Sequence, residues 1–247
     1  MWNYLASEKL KYRHTFTRQL IWIAPAVVIL LNVLSPVWYQ QNSFNWWYVV
    51  LYPGFLTFLC ILVNQKDGGK LKYFAVYPLP VNLEKLWYAK VAVCMAYALM
   101  ANVFLMVCNV LGGLLLSRIY GIPMTVPVLR ALAGTICIVL ASVWNIPLCL
   151  WLSNKIGGFA TLIVHVGLGF LLGVSGADSH FWILCPYSWA ARLMVPILGI
   201  LPNGEPANAM DLPVSPVLAG AALILSLVLL SVLSMATAKS FARQEVR

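Results

Sequence analysis

The sequence predicts an all-α polytopic membrane protein with six transmembrane helices. Three observations carry that expectation. The 247 residues are 62% hydrophobic and 9% charged, where a soluble domain carries roughly 25% charged residues. Six apolar stretches approach the ~20 residues needed to cross about 30 Å of hydrocarbon. The basic residues alternate between the connections, which is the signature of a sided membrane protein.

The predicted spans are 19–38, 44–63, 91–117, 127–152, 158–176 and 216–238. A chain in lipid must satisfy its backbone hydrogen bonds within each segment, so stretches of this length read as helices. The polar and apolar alternation of a membrane barrel is absent. Residues 1–18 form an amino-terminal segment, 19–238 the membrane domain and 239–247 a tail. The first span follows a polar, basic stretch and no small-residue cleavage site comes after it, so it reads as a retained helix. With the N-terminus inside, 13 of the 16 Lys and Arg residues fall on the inner side, and only Arg118, Arg130 and Arg192 fall outside. Both termini are then cytoplasmic. The net charge of +9 is spread over several loops and makes no nucleic-acid patch.

Residues 1–18 carry Trp2, Tyr4, Leu5, Leu10, Tyr12 and Phe16 beside Lys9, Lys11 and Arg13. They read either as a helix lying on the inner surface with its cations at anionic headgroups, or as a plain basic orientation signal. A short outer loop at 39–43 is flanked by Trp38, Tyr39, Phe44, Trp46, Trp47 and Tyr48, an aromatic belt at the interface.

The first inner loop is broken by Gly68 and Gly69 and closed by Pro78 and Pro80. Between them Lys70, Leu71, Lys72, Tyr73, Phe74 and Tyr77 form a short cytoplasmic helix with aromatic and basic side chains exposed. Such an element suits docking to a partner. Asn82 is placed to cap the next helix, with Glu84 in its first turn. In the fifth span Gly169, Gly173 and Gly176 form a small-residue face that serves a subunit interface or a contact within the chain.

The last outer segment, 177–215, is apolar and interrupted by Pro186 and Pro196. It is expected to form short helices in the outer leaflet. Trp182, Tyr187, Trp189, Arg192 and Met194 then make an outer gate that meets cargo, against the simpler role of interfacial anchoring. Arg192 has cargo, lipid, Asp178, Glu205 or Asp211 as prospective partners.

No acidic residue lies inside a predicted span, and His165 is the one ionisable group deep in a span apart from cysteines and tyrosines. It reads as a hydrogen-bonded packing residue before a proton relay. Ion-coupled transport is therefore disfavoured. A phosphate-binding loop is also absent, since Gly68-Gly69-Lys70 lacks the first glycine and the following hydroxyl residue. Any ATPase must be a separate chain. Gly173-Val174-Ser175-Gly176 matches the G-x-S-G of rhomboid-type intramembrane proteases, but the last span holds no histidine base. No cofactor or metal site is expected.

The chain resembles the permease subunits of lantibiotic-immunity ABC transporters, the MutE/EpiE family of the ABC type-2 class. The likeness runs from Ser7-Glu8-Lys9-Leu10-Lys11-Tyr12 and Thr15-Phe16-Thr17-Arg18, through Asn45-Trp46-Trp47-Tyr48, Pro53-Gly54 and Asn64-Gln65-Lys66. It continues in Lys70-Leu71-Lys72-Tyr73, Leu79-Pro80-Val81, Pro186-Tyr187-Ser188-Trp189 and Arg192-Leu193-Met194-Val195-Pro196. The resemblance implies a non-enzymatic subunit in the cytoplasmic membrane of a Gram-positive bacterium. It implies two copies of an ATPase that bind ATP and Mg, a second related permease, and a lantibiotic peptide as cargo. The same architecture with a drug or lipid as cargo is the alternative.

Single-cysteine versions at Ser117 and Asn203 should react with an impermeant thiol reagent in whole cells, while versions at Ser7 and Asn154 should stay unlabelled. Labelling of Ser7 or Asn154 from outside would reverse the orientation.

Overall fold

The computed structural model describes residues 1–68, 73, 81–208 and 211–243. Its α-helices in chain order are α1 (Trp2–Lys11), α2 (Phe16–Val33), α3 (Tyr39–Trp46), α4 (Tyr52–Gly68), α5 (Leu83–Tyr120), α6 (Val128–Ser142), α7 (Asn145–Lys155), α8 (Gly158–Asp178), α9 (Trp189–Leu198) and α10 (Pro216–Ala242). Five segments are long and apolar enough to cross a membrane: Phe16–Val33, Pro36–Gly68, Leu83–Tyr120, Gly158–Asp178 and Pro216–Ala242. The pair α6 and α7, bent by 43°, makes a sixth when counted as one broken span. Among the described residues the β pairing is one isolated bridge, Ile200 to Pro206.

The second span departs most from expectation. The outer loop expected at 39–43 is helix α3, and Tyr39, Gln40, Gln41 and Ser43 are buried. Gln40 explains why. Its Oε1 accepts from the Thr125 and Val126 amides at 2.9 and 3.1 Å, and its Nε2 donates to the Val126 carbonyl at 3.2 Å. Asn109 on α5 returns a bond to the Gln40 carbonyl at 3.1 Å. Buried amides persist where every partner is supplied. Gly112 and Gly113 on α5 make the room: a Cβ there would meet Tyr39 Oη at 2.1 Å and Gln40 Nε2 at 2.5 Å. A π-helical turn at Trp47–Leu51 joins α3 to α4. It lies just before Pro53, whose missing N–H cannot continue the regular ladder.

Helix α5 starts well before the apolar run at 91. Asn82 caps it by accepting the Lys85 amide at 2.9 Å, and Gly121 ends it in the left-handed region at φ 68°. Its 38 residues span about 57 Å, well beyond the ~30 Å of hydrocarbon. The bend between α6 and α7 has a local cause. Pro147 has no N–H for the Val143 carbonyl, which accepts from the Ile146 amide at 3.2 Å instead.

Helix α4 lies at the centre, against α7, α8 and α5, while α2 packs on α5, α6 on α9, and α10 on α5, α7 and α6. Polar pairs tie these faces together inside the bundle. Trp47 Nε1 donates to Asn102 Oδ1 at 2.9 Å, and Ser226 on α10 donates to the Leu140 carbonyl at 2.6 Å. The outer faces of α8 and α10 stay uncovered, with Phe159, Leu171, Ile224 and Val228 exposed. In a membrane protein such faces meet lipid or another subunit.

Trp47→Phe and Asn102→Leu should each lower thermal stability in detergent. A double-mutant cycle should show a coupling of about 0.5–2 kcal/mol, and additive effects would mean that the two side chains act separately.

Candidate functional site

The amino-terminal end of the bundle holds a buried cluster of charges. Glu8 and Lys11 come from α1, Asp67 from the last turn of α4 and Lys90 from the third turn of α5. Glu8 and Lys90 are fully buried. Lys11 Nζ lies 2.5 Å from Glu8 Oε1 and 3.0 Å from both Asp67 oxygens. Lys90 Nζ lies 2.5 Å from Asp67 Oδ2 and 3.8 Å from Glu8 Oε2. Tyr12 donates to Glu8 Oε2 at 2.8 Å and sits 3.2 Å from the Val63 carbonyl.

Two acids and two bases alternate, so the cluster is neutral as a unit. Burial disfavours the Lys11 ammonium, but its hydrogen bond to Glu8 and the charges of Glu8 and Asp67 outweigh that and hold its pKa above the usual lysine value. The Tyr12 phenol is pushed up by burial and by Glu8, so it remains a donor.

Around the cluster, aromatic residues gather the other helices. Trp87 Nε1 donates to Thr237 Oγ1 on α10 at 2.9 Å, and its ring lies 4.8 Å from that of Phe241. Phe241 in turn packs edge-on against Tyr73 at 5.3 Å. The carboxyl-terminal end of α10 therefore shares the end of the bundle that holds α1. Tyr73 is buried. Its hydroxyl donates to Asn64, and its amide donates to the Asp67 carbonyl at 2.9 Å. Its backbone takes φ 63°, an uncommon value for a bulky residue. Gly68 is needed beneath it, because a Cβ there would lie 2.6 Å from the Tyr73 ring. At the other side of the connection, the Asn82 amide donates to Tyr4 Oη of α1 at 3.0 Å.

Several expectations change here. Lys11 does not face headgroups but turns into the cluster. Lys90 is not a loop cation but a buried ion-pair partner within α5. Tyr73 is not exposed to solvent. Of the remaining expected docking residues, Lys70, Leu71, Lys72, Phe74 and Tyr77 lie outside the described residues. The cluster had little signal in the sequence. Only the i,i+3 pair of Glu8 and Lys11 is local, and Lys90 beside an apolar run looks like any interfacial lysine.

The far end is closed by the segment after α8. Gly169, Gly173 and Gly176 face this segment and not a free surface. A Cβ on Gly169 would lie 3.6 Å from Pro53 and 3.7 Å from Tyr187, one on Gly173 3.5 Å from the Tyr187 carbonyl, and one on Gly176 3.1 Å from Ser188 Cβ. The glycine face is therefore a contact within the chain.

Trp182, Trp189, Arg192 and Met194 are buried, and Tyr187 is half-buried. Arg192 makes no direct ion pair with Asp178, Glu205 or Asp211, though Asp178 is near enough to act on its charge: it donates to the Ala177 carbonyl at 2.8 Å and the Pro213 carbonyl at 3.3 Å, with Trp182 beneath its guanidinium at 5.8 Å. Among the described residues of this segment the exposed large side chains are Phe181 and Leu184. His165 Nδ1 pairs with the Tyr187 hydroxyl at 3.1 Å, as a packing residue would. Ser175 is exposed and donates to the Leu171 carbonyl of its own helix.

The comparison with known families decides the class. The family described as ABC-2 family transporter protein matches residues 15–203 of the 247. The chain belongs to this ABC-2 transporter family. No curated protein and no solved structure gives a match. An ABC-2 permease is the membrane-spanning subunit of a transporter and works with an ABC ATPase. The permease thus combines a charge-locked amino-terminal end with a covered far end. The matched region spans α2 to α9 and includes Asp67 and Lys90, but not Glu8 or Lys11.

Lys90→Met leaves two carboxylates facing one ammonium and should cost about 3–5 kcal/mol, read as a loss of thermal stability in detergent. Lys90→Met combined with Asp67→Leu should recover most of it. An unrecovered double variant would mean that Lys90 acts by packing and not by charge.

Proposed function

We propose that this ABC-2 permease is the membrane subunit of an exporter that protects its host by expelling a lantibiotic peptide from the cytoplasmic membrane of a Gram-positive bacterium. Its amino-terminal end faces the cytoplasm, in line with the basic asymmetry of the chain. Two copies of the ATPase, with their ATP and Mg, and a second related permease complete the machine.

One observation supports this reading above the others. Two described residues at the connection between α4 and α5 are each held by a different helix: Tyr73 by the Asp67 carbonyl and Asn64 of α4, and Asn82 by Tyr4 of α1. A push on that connection passes to α1, α4 and α5 together through the buried ions. This is the mechanical requirement on a subunit driven by an ATPase it does not contain. Lys70, Leu71, Lys72, Phe74 and Tyr77 supply the docking face in this proposal, with Tyr73 as the inward anchor.

The far-end cap supports export of an amphiphile. Trp182, Tyr187, Trp189, Arg192 and Met194 hold it from within, and Phe181 and Leu184 present the apolar surface that a lipid-seated peptide would meet first. The cavity enclosed between the cap, α4 and α6 is about 20 Å³, room for one water molecule at most. Cargo would pass along the surface between subunits and not through this part of the chain.

Leu71→Ala with Phe74→Ala should reduce ATPase recovered with the tagged permease by about tenfold while membrane insertion is unchanged. Full recovery would remove the docking role. Cells lacking the permease should become sensitive to a lantibiotic. Sensitivity to drugs or membrane-active lipids in its place would move the cargo to those classes.

A further inference from the structure

Between α1, the start of α2 and α5 lies an open cavity of about 580 Å³. That is within the ~300–1,000 Å³ of small-molecule sites. Its lining divides by chemistry. Lys9, Arg13 and Arg18 line it with three cations, and Leu10, Tyr97 and Met100 supply apolar wall. The described residues offer these cations no acidic partner, because Glu8 and Asp67 are committed to Lys11 and Lys90. One Arg18 nitrogen reaches the Arg13 backbone carbonyl at 3.4 Å, which ties the Arg18 side chain to the end of the turn after α1, and both arginines line the cavity.

The wall is firmly held. Tyr97 packs edge-on against Tyr12 with ring centroids 6.5 Å apart, and Tyr12 is bonded to Glu8. From Met100 the apolar surface continues along α5 through Val103 and Val107, both exposed. Their spacing places them on one face of the helix. Trp22 of α2 flanks that strip, edge-on to Phe104 at 5.1 Å.

We propose that this cavity is a binding site for one anionic phospholipid. The phosphate sits among Lys9, Arg13 and Arg18, and an acyl chain follows Met100, Val103 and Val107. A free phosphate would satisfy the cations and leave the apolar strip unused. An acidic protein segment would match the charges but has no counterpart for a strip that runs down a membrane-spanning helix. A lipid satisfies both halves. Three converging cations also distinguish a seat for one headgroup from the diffuse attraction of a basic loop to a charged surface. Neither the cargo nor the orientation of the bundle enters this assignment.

The test is native mass spectrometry of the full chain in mild detergent, titrated with phosphatidylglycerol and with phosphatidylcholine of the same acyl chains. The first phosphatidylglycerol should bind about tenfold more tightly, and inorganic phosphate should not displace it. Arg13→Ala with Arg18→Ala should erase the preference. Met100→Trp, which leaves the cations in place, should independently lower occupancy by either lipid. Equal binding of the two lipids, or a preference that survives loss of both arginines, overturns the site. Displacement by inorganic phosphate makes it a simple anion site and overturns the lipid. A preference present in the isolated chain but lost when partner subunits are bound assigns the face to a protein contact and overturns it as well.

Discussion

The arrangement of the amino-terminal end depends on the ion cluster of Glu8, Lys11, Asp67 and Lys90. A charge moved out of water into a protein interior carries a penalty of several kcal/mol, recovered only through close partners of opposite sign. Each of these four groups is the reason another can be buried. Asp67 accepts from two ammonium groups, Glu8 from an ammonium and a phenol, and Lys90 has no solvent contact at all. Their shared requirement brings α1 against α4 and α5. Tyr4, Tyr73 and Asn82 then have fixed partners.

Elsewhere the bundle is held by a different principle. Within lipid there is little hydrophobic gain in bringing two apolar helices together, so packing and hydrogen bonds between helices decide which faces meet. Gly112 and Gly113 admit Tyr39 and Gln40; the α8 glycines admit the segment from Cys185 to Ser188. Trp47 with Asn102, and Ser226 with the Leu140 carbonyl, add directional bonds at those contacts. These contacts lock adjacent helices in register. The amino-terminal end and the far end are thereby joined through α4 and α5.

For an ABC-2 permease this division has a mechanical meaning. In the proposed exporter, driven by a separate ATPase, a rigid receiver is needed at one end and a closure at the other. The buried ions suit the first role, since shifting any one helix separates charges at low dielectric. The cap after α8 suits the second, with Arg192 bound to the backbone of Ala177 and Pro213. Its partners are carbonyls of the two strands of chain that flank the cap, which makes the arginine a brace and not a free charge for cargo.

Composition, span length and basic asymmetry were enough to determine an all-helical membrane protein and to locate most of its helices. These properties follow from the cost of exposing backbone and charge to lipid, which acts on each segment alone. Asn82 as a cap, Pro186 as a break and His165 as a packing residue were legible for the same reason, because their chemistry is satisfied locally or by default. The helical course of 39–43, the inward turn of Lys11 and Tyr73, and the burial of Lys90 were decided only by tertiary structure. In each case the deciding partner is remote in sequence: Val126 for Gln40, Asp67 for Lys11, Phe241 for Tyr73. A polar side chain next to an apolar run looks the same whether it reaches water or a distant carboxylate, and only the packed helices supply the carboxylate.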